Sequence, residues 1–126
     1  MKSSKMRVQG FTLVEIMIVV AIIALQAVIA IPNWVRARAT SQTNACINNL
    51  RQIAGATQQW ALDNRQGSGA DVVPENVLPY LKNAVVCPAG GLDATFAGSY
   101  LLNKVGNPPT CQIVQATHVL PVDTTN

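Results

Sequence analysis

A long run of apolar residues lies near the start of the chain, ahead of a stretch in which apolar and polar positions alternate with helical spacing. Between Phe11 and Ile31, a span of 21 residues, only Thr12, Glu15 and Gln26 are polar. A helix of that length rises about 31 Å, the thickness of the hydrocarbon core of a bilayer. The many Val and Ile residues would favour a strand in water, but in lipid a helix satisfies its own backbone hydrogen bonds. We therefore predict a membrane-spanning helix over residues 11–31.

Beyond Pro32 the apolar positions follow a single helical face. They recur at steps of three and four residues: Val35, Ala39, Thr43, Cys46, Leu50, Ile53, Thr57 and Trp60. This spacing predicts an amphipathic helix that continues the membrane helix to about Asn64 or Arg65, where Gly67 would supply a left-handed stop. Pro32 is expected to kink the joint helix, because its ring removes a hydrogen-bond donor and crowds the preceding turn.

The second half of the chain predicts a small head rich in strands. Residues 66–70 have the composition of a flexible linker. The expected elements that follow are a short helix at 74–82, strands at 95–102 and 111–115 joined by a turn at 106–109, and an edge strand at 119–122. The fold class is therefore predicted as α+β, with the long N-terminal helix packed against a small antiparallel sheet.

The basic residues are concentrated ahead of the apolar run. The formal charge is +3, and Lys2, Lys5 and Arg7 account for all of the excess. Positive charge beside an apolar helix favours a cytoplasmic N-terminus, so these residues indicate membrane topology and are no reason to infer nucleic-acid binding. An ordinary secretory signal peptide cut near Ala30 stays open as an alternative, although Glu15 interrupts its apolar region and that region is long.

The residues Gly10-Phe-Thr-Leu-Val-Glu15, with a basic leader before them and an apolar helix after them, resemble the type IV pilin-like proteins. That family includes the pseudopilins of type II secretion. The resemblance implies cleavage between Gly10 and Phe11 and methylation of the new N-terminal Phe11. It also agrees with a helix-bending proline at Pro32. The expected organisation is a cleaved leader (1–10), a transmembrane or assembly helix (11–31), a helical spine (32–65) and a β head (66–126).

The resemblance further implies a structural subunit of a pilus or pseudopilus filament, held first in the inner membrane with its head outside the cytoplasm. Implied partners are further copies of the subunit, membrane lipid, a prepilin peptidase and methyltransferase, an assembly ATPase and a membrane platform protein. Glu15 is the candidate assembly charge, since a carboxylate is costly in an apolar helix. Two alternatives stay open: an anchored binding domain that does not polymerise, and a secreted domain. The sequence does not separate a surface pilus from a secretion pseudopilus or a DNA-uptake fibre.

Three cysteines lie in the part of the chain expected outside the cytoplasm. Cys87 and Cys111 bracket the predicted hairpin, and a disulfide between them would stabilise a head that is too small for a large core. The resemblance supports this pairing, because such proteins often carry a disulfide in the head. Two free thiols stay open as the alternative. Cys46 lies on the apolar face of the helix and is expected to be a buried thiol.

No set of residues in the sequence indicates catalysis, a metal ion or another cofactor. His118 has neither a second histidine nor a cysteine at a familiar ligand spacing, and is expected in a strand or loop. The aspartates are scattered, unlike the dense oxygen ligands of calcium loops. Major pseudopilins generally bind calcium after the position of Cys111, where this chain has only the isolated Asp123. We therefore expect no enzyme activity.

Overall fold

The computed structural model describes residues 9–121, so the leader charges and Asp123 lie outside the described part. Its helices and strands follow in chain order: α1 (Leu13–Asp63), α2 (Pro74–Val77), α3 (Phe96–Ser99), β1 (Tyr100–Leu101) and β2 (Thr110–Cys111). Two short 3₁₀ turns, Leu78–Tyr80 and Pro88–Gly90, lie between α2 and α3. The chain divides into two compact units, one up to Ala37 and the other from Arg38 onward.

The first unit consists of the start of α1 and the residues before it. Nearly every side chain from Phe11 to Ile31 is exposed, and this part of α1 is long and apolar enough to cross a membrane. The sequence therefore predicted the helical state correctly, despite the strand preference of its Val and Ile residues. Pro32 lies inside α1. The kink that we expect there stays a prediction.

In the second unit one face of α1 forms the floor of the core. Cys46, Leu50 and Ile53 are fully buried, and Thr57 is nearly so. The predicted apolar face is thus confirmed from Thr43 to Trp60, whereas Val35 and Ala39 are exposed. The side chains that cover this face come from the loops, the short helices and the strands: Val72, Val77, Cys87, Phe96, Tyr100, Val105 and Cys111.

Polar side chains at the edges of the same helix face fix the loops onto α1. Asn49 donates hydrogen bonds to the Val86 carbonyl and to the Tyr100 hydroxyl, both at 3.0 Å. Gln58 donates to the Val105 carbonyl at 3.1 Å. Two of these bonds satisfy backbone carbonyls that lie outside β1 and β2, so irregular loops can pack where regular sheet is scarce.

The sheet is antiparallel, as predicted, but much shorter than expected. β1 and β2 pair with Tyr100 opposite Cys111 and Leu101 opposite Thr110. The strand predicted at 95–102 is wrong over its first half, because the Thr95 hydroxyl accepts a hydrogen bond from Gly98 N and caps α3 instead. The return strand predicted at 111–115 ends at Cys111, and residues 119–121 form no strand.

The left-handed residue at the end of α1 is not the one that the sequence predicted. Arg65, with φ 52°, occupies that position, and Gly67 does not. Gln66 N donates to the Ala61 carbonyl at 2.8 Å and Arg65 N to the Leu62 carbonyl at 3.3 Å. Together these two bonds form a Schellman motif, which satisfies the last carbonyls of the helix. An arginine therefore holds a backbone conformation that glycine adopts without steric strain.

Replacing Arg65 by glycine is expected to raise the free energy of unfolding by about 0.5–1 kcal/mol, because it relieves the left-handed strain. Gly67→Ala is the matched control and should cause no loss, since a Cβ there meets no atom within 4 Å. Denaturant unfolding of the detergent-solubilised chain, followed by tryptophan fluorescence, measures both variants. A loss of stability in Gly67→Ala would place the left-handed residue at Gly67 and contradict this account.

Candidate functional site

The first candidate site is the start of α1. Thr12 immediately precedes the helix, and Glu15 is its third residue. The Thr12 hydroxyl accepts a hydrogen bond from Glu15 N at 3.3 Å, while Glu15 Oε2 accepts from Thr12 N at 2.8 Å and from the Thr12 hydroxyl at 3.0 Å. This reciprocal arrangement is a capping box, and it satisfies backbone donors that the helix itself leaves unpaired.

Glu15 was identified from the sequence as a candidate, but its hydrogen bonds with Thr12 were not predicted. The signal was present, since Thr-x-x-Glu ahead of an apolar run is typical of a helix start. Glu15 also lies in the first turn, where a carboxylate interacts favourably with the helix dipole. The capping contacts give Glu15 a structural role within one subunit, separate from the assembly role that the sequence suggested.

The bond expected to be cleaved lies just before this capping box. Gly10 and Phe11 are outside the helix, and the Phe11 side chain is 87% exposed. A Cβ built on Gly10 meets no atom within 4 Å. The subunit's own fold therefore does not require glycine at this position, and any such requirement must come from another protein that approaches the backbone there.

The second candidate site brings together all three cysteines and the histidine. Cys46 on α1, Cys87 ahead of a 3₁₀ turn, Cys111 on β2 and His118 in the following turn are all buried. Their ligand atoms all lie within 4.8 Å of one another. Among the described residues this is the set that could hold a metal ion.

The cysteines expected to form a disulfide are neighbours in this cluster. Cys87 Sγ and Cys111 Sγ lie 3.7 Å apart, and both residues are free thiols in this structure, as is Cys46. Cys46 is buried, as predicted. The disulfide between Cys87 and Cys111 stays a prediction.

His118 was expected to be isolated, and in the structure it is not. It is 3% exposed, and its Nδ1 lies 3.5 Å from Cys87 Sγ and 3.8 Å from Cys111 Sγ. Its Nε2 lies 3.2 Å from the Thr43 hydroxyl on α1. No pattern in the sequence indicated these contacts, because they depend on how the loops return to the helix and not on a familiar ligand spacing.

Burial dominates the electrostatics of the cluster. It raises the pKa of the Cys46 thiol to about 12, and it also raises the pKa values of Cys87 and Tyr100. Burial acts in the same direction on Cys111. There, however, hydrogen bonds from the backbones of Val114 and Ile113, together with the neighbouring thiols, outweigh it and leave the pKa lowered. The surroundings of Cys111 therefore favour the thiolate more than those of the other two cysteines.

Comparison with known families agrees with the geometry at the start of α1. The family described as the prokaryotic N-terminal methylation motif matches residues 5–31. The match covers the non-helical Gly10–Phe11 bond and the exposed apolar start of α1, as in a prepilin-type N-terminus. No solved structure matches the chain.

Three relatives extend the similarity into the head. The chain is 42% identical to the type IV major fimbrial protein FimA of Dichelobacter nodosus over 98 residues, covering 71% of this chain and 63% of the relative. It is 31% identical to the type II secretion system core protein G of Klebsiella pneumoniae over 91 residues, covering 68% of this chain and 63% of the relative. It is 34% identical to the competence protein ComGC of Bacillus subtilis (strain 168) over 87 residues, covering 68% of this chain and 86% of the relative.

The chain belongs to the type IV pilin-like family. The likeness to ComGC carries this assignment, since it extends over most of that relative's length. The chain spans less than two thirds of the length of the fimbrial protein and of core protein G.

Thr12→Val is expected to open the first turn of α1, because Glu15 N loses its acceptor and Glu15 Oε2 loses a donor. Loss of an N-cap costs about 1 kcal/mol, so amide exchange at Glu15 and Ile16, whose N–H groups donate to Thr12, should be about five times faster. Hydrogen exchange on the detergent-solubilised chain measures this effect. Thr12→Ser keeps the hydroxyl and should behave like the parent chain. Equal exchange rates in the Val and Ser variants would show that the capping box contributes nothing.

Proposed function

We propose that this chain is a structural, non-enzymatic subunit that is cut between Gly10 and Phe11, methylated on Phe11, and polymerised through its N-terminal helix into a pilus or pseudopilus filament. The observation that carries the proposal is the match to the methylation motif, which covers both the exposed, non-helical Gly10–Phe11 bond and the exposed apolar start of α1 as far as Ile31. The relatives support a filament subunit: they are named as a fimbrial protein, a secretion core protein and a competence protein.

The proposed organisation follows from where apolar surface is exposed. Residues 1–10 form the leader, 11–31 the membrane and assembly helix, 32–65 the spine, and 66–126 the head. Before assembly the apolar helix would cross the inner membrane, with its N-terminus in the cytoplasm and the head outside. In the filament the same surface would pack against other copies of the helix. Moving the helix from lipid into a bundle of similar apolar helices changes the free energy little. Burial of the apolar surface therefore does not by itself determine how the incoming subunit is aligned.

In this proposal Glu15 determines the alignment of the incoming subunit. After cleavage the chain begins with a positively charged secondary amine on Phe11, which enters an apolar bundle. An amine and a carboxylate about 4 Å apart attract by roughly 4 kcal/mol at an effective dielectric constant of 20. Because burial of the two charges opposes this attraction, the pair adds little net stability, but it penalises every register that leaves one charge unpaired. Its role would therefore be alignment of the incoming subunit.

The remaining partners follow from the same proposal. A prepilin peptidase and methyltransferase would process the N-terminus, and an assembly ATPase acting through a membrane platform protein would extract subunits from lipid. The match to the methylation motif supports the first partner.

Gly10→Val is expected to leave the precursor uncut in the membrane. The peptidase must approach the backbone at this residue, and the subunit itself has room for a side chain there, so the loss would reflect recognition and not misfolding. N-terminal mass spectrometry of the membrane fraction measures the cut. Gln9→Val places the same side chain one residue earlier and should still be processed. Normal maturation of Gly10→Val would refute the proposed site.

Glu15→Gln is expected to be cut normally but to assemble poorly, since it removes the charge and keeps the shape. A glutamine can still complete a capping box, so this variant separates the charge from the capping contacts. Glu15→Ala removes both and serves as the comparison. Filament number and length, scored by electron microscopy, are the measurement.

The two variants give distinct outcomes. If Glu15→Gln forms filaments as well as the parent while Glu15→Ala does not, the capping contacts are what assembly needs, and the charge proposal fails. If both variants form normal filaments, neither property of Glu15 matters for assembly.

A further inference from the structure

The proposed filament function assigns no role to the cluster of Cys46, Cys87, Cys111 and His118. Three thiols and an imidazole from four separate segments converge in a buried volume of a small head. A buried thiol is common as a small apolar side chain. Three thiols around one imidazole are the donor set of a metal site.

The distances within the cluster match the edges of a coordination tetrahedron. Zinc bound to sulfur at about 2.3 Å and to nitrogen at about 2.0 Å requires about 3.8 Å between sulfurs and about 3.5 Å between sulfur and nitrogen. Cys87 and Cys111 sulfurs are 3.7 Å apart, and His118 Nδ1 is 3.5 and 3.8 Å from them. Three corners thus have the required spacing, and Cys46 Sγ lies within 4.8 Å of all of them.

The imidazole is oriented as a ligand would be. His118 Nδ1 faces the sulfurs, while Nε2 lies 3.2 Å from the Thr43 hydroxyl. That hydroxyl donates to the Ala39 carbonyl at 3.0 Å, so it is free to accept from Nε2–H. The resulting chain places the ring proton on Nε2 and leaves the Nδ1 lone pair directed at the thiols. Metal-binding histidines typically have their second nitrogen fixed in this way.

Each sulfur also has a polar neighbour outside the cluster. The Tyr100 hydroxyl lies 3.7 Å from Cys46 Sγ, and Asn49 holds that hydroxyl in place. Backbone groups of Ala89 act on Cys87, and those of Val114 and Ile113 on Cys111, in the direction that lowers the pKa of each thiol. Hydrogen bonds of this kind orient thiolate ligands around a metal.

We propose that Cys46, Cys87, Cys111 and His118 bind one Zn²⁺ ion as a closed structural site that joins α1 to three segments of the head. Zinc is the metal that this donor set favours, because thiolates suit a soft ion and the cluster offers no carboxylate for calcium or magnesium. All four positions are filled by protein, so the site has no open corner for a substrate.

A metal site accounts for residues that the predicted disulfide leaves unexplained. A bond between Cys87 and Cys111 would use two of the four groups and would leave Cys46 and the oriented His118 without a role. The two states exclude each other, since a disulfide sulfur has no thiolate to offer. Cys46 and His118 are therefore the residues that distinguish them.

The test uses the full chain, solubilised from membranes in detergent without chelator or reductant, with unassembled subunits so that the result does not depend on filament formation. Metal analysis is expected to find about one zinc per chain. After reduction and removal of zinc under nitrogen, added Co²⁺ should give the visible absorption of tetrahedral thiolate coordination, and zinc should displace it. Cys46→Ser and His118→Gln should each weaken zinc binding at least 100-fold.

A second pair of variants keeps the test valid if a ligand variant fails to fold. Thr43→Val removes the group that orients His118 and should weaken zinc binding about 10- to 100-fold, while Thr43→Ser should restore it. Thr57→Val makes the same substitution on the same helix, away from the cluster, and should leave zinc binding unchanged.

Two results would overturn the proposal. One is a Cys87–Cys111 disulfide, found by peptide mapping of cells alkylated before lysis, with Cys46 free to react. The other is a reduced chain that binds neither Co²⁺ nor Zn²⁺ stoichiometrically, or that binds them equally well after Cys46→Ser.

Discussion

The apolar surface between Phe11 and Ile31 must leave water, and the rest of the molecule depends on this constraint. Its side chains are exposed, and a run so rich in Val and Ile would aggregate in water. Lipid and other copies of the same helix are the two environments that can cover it without loss of backbone hydrogen bonds. In the proposed function the subunit moves from the first environment to the second.

The head must bury its core with little regular secondary structure. The helix supplies Leu50 and Ile53, and loops cover them with the help of hydrogen bonds from Asn49 and Gln58. Two-residue strands contribute little stability by themselves. Side chains of α1 therefore hold some of the loops, while others are held by one another, as Val105 N and Gly106 N donate to the carbonyls of Ala70 and Ser68.

Periodic features of the sequence predicted the fold well, and features that depend on tertiary contact did not. The long helix, the buried face around Cys46 and the antiparallel pairing followed from spacing and turn residues. The first half of the strand predicted at 95–102 was wrong because a local cap at Thr95 outweighed alternation over a few residues. The neighbours of His118 were missed because Thr43 is 75 positions away in the chain, and no local pattern records such a contact.

The contact between Thr43 and His118 also sets an order of events in the life of the subunit. The helix face is synthesised first, and His118 follows Thr43 by 75 positions. Contacts of such sequence separation form slowly. The Thr43 hydroxyl is therefore made well before the imidazole that contacts it, and the two segments must find each other after the helix face has formed.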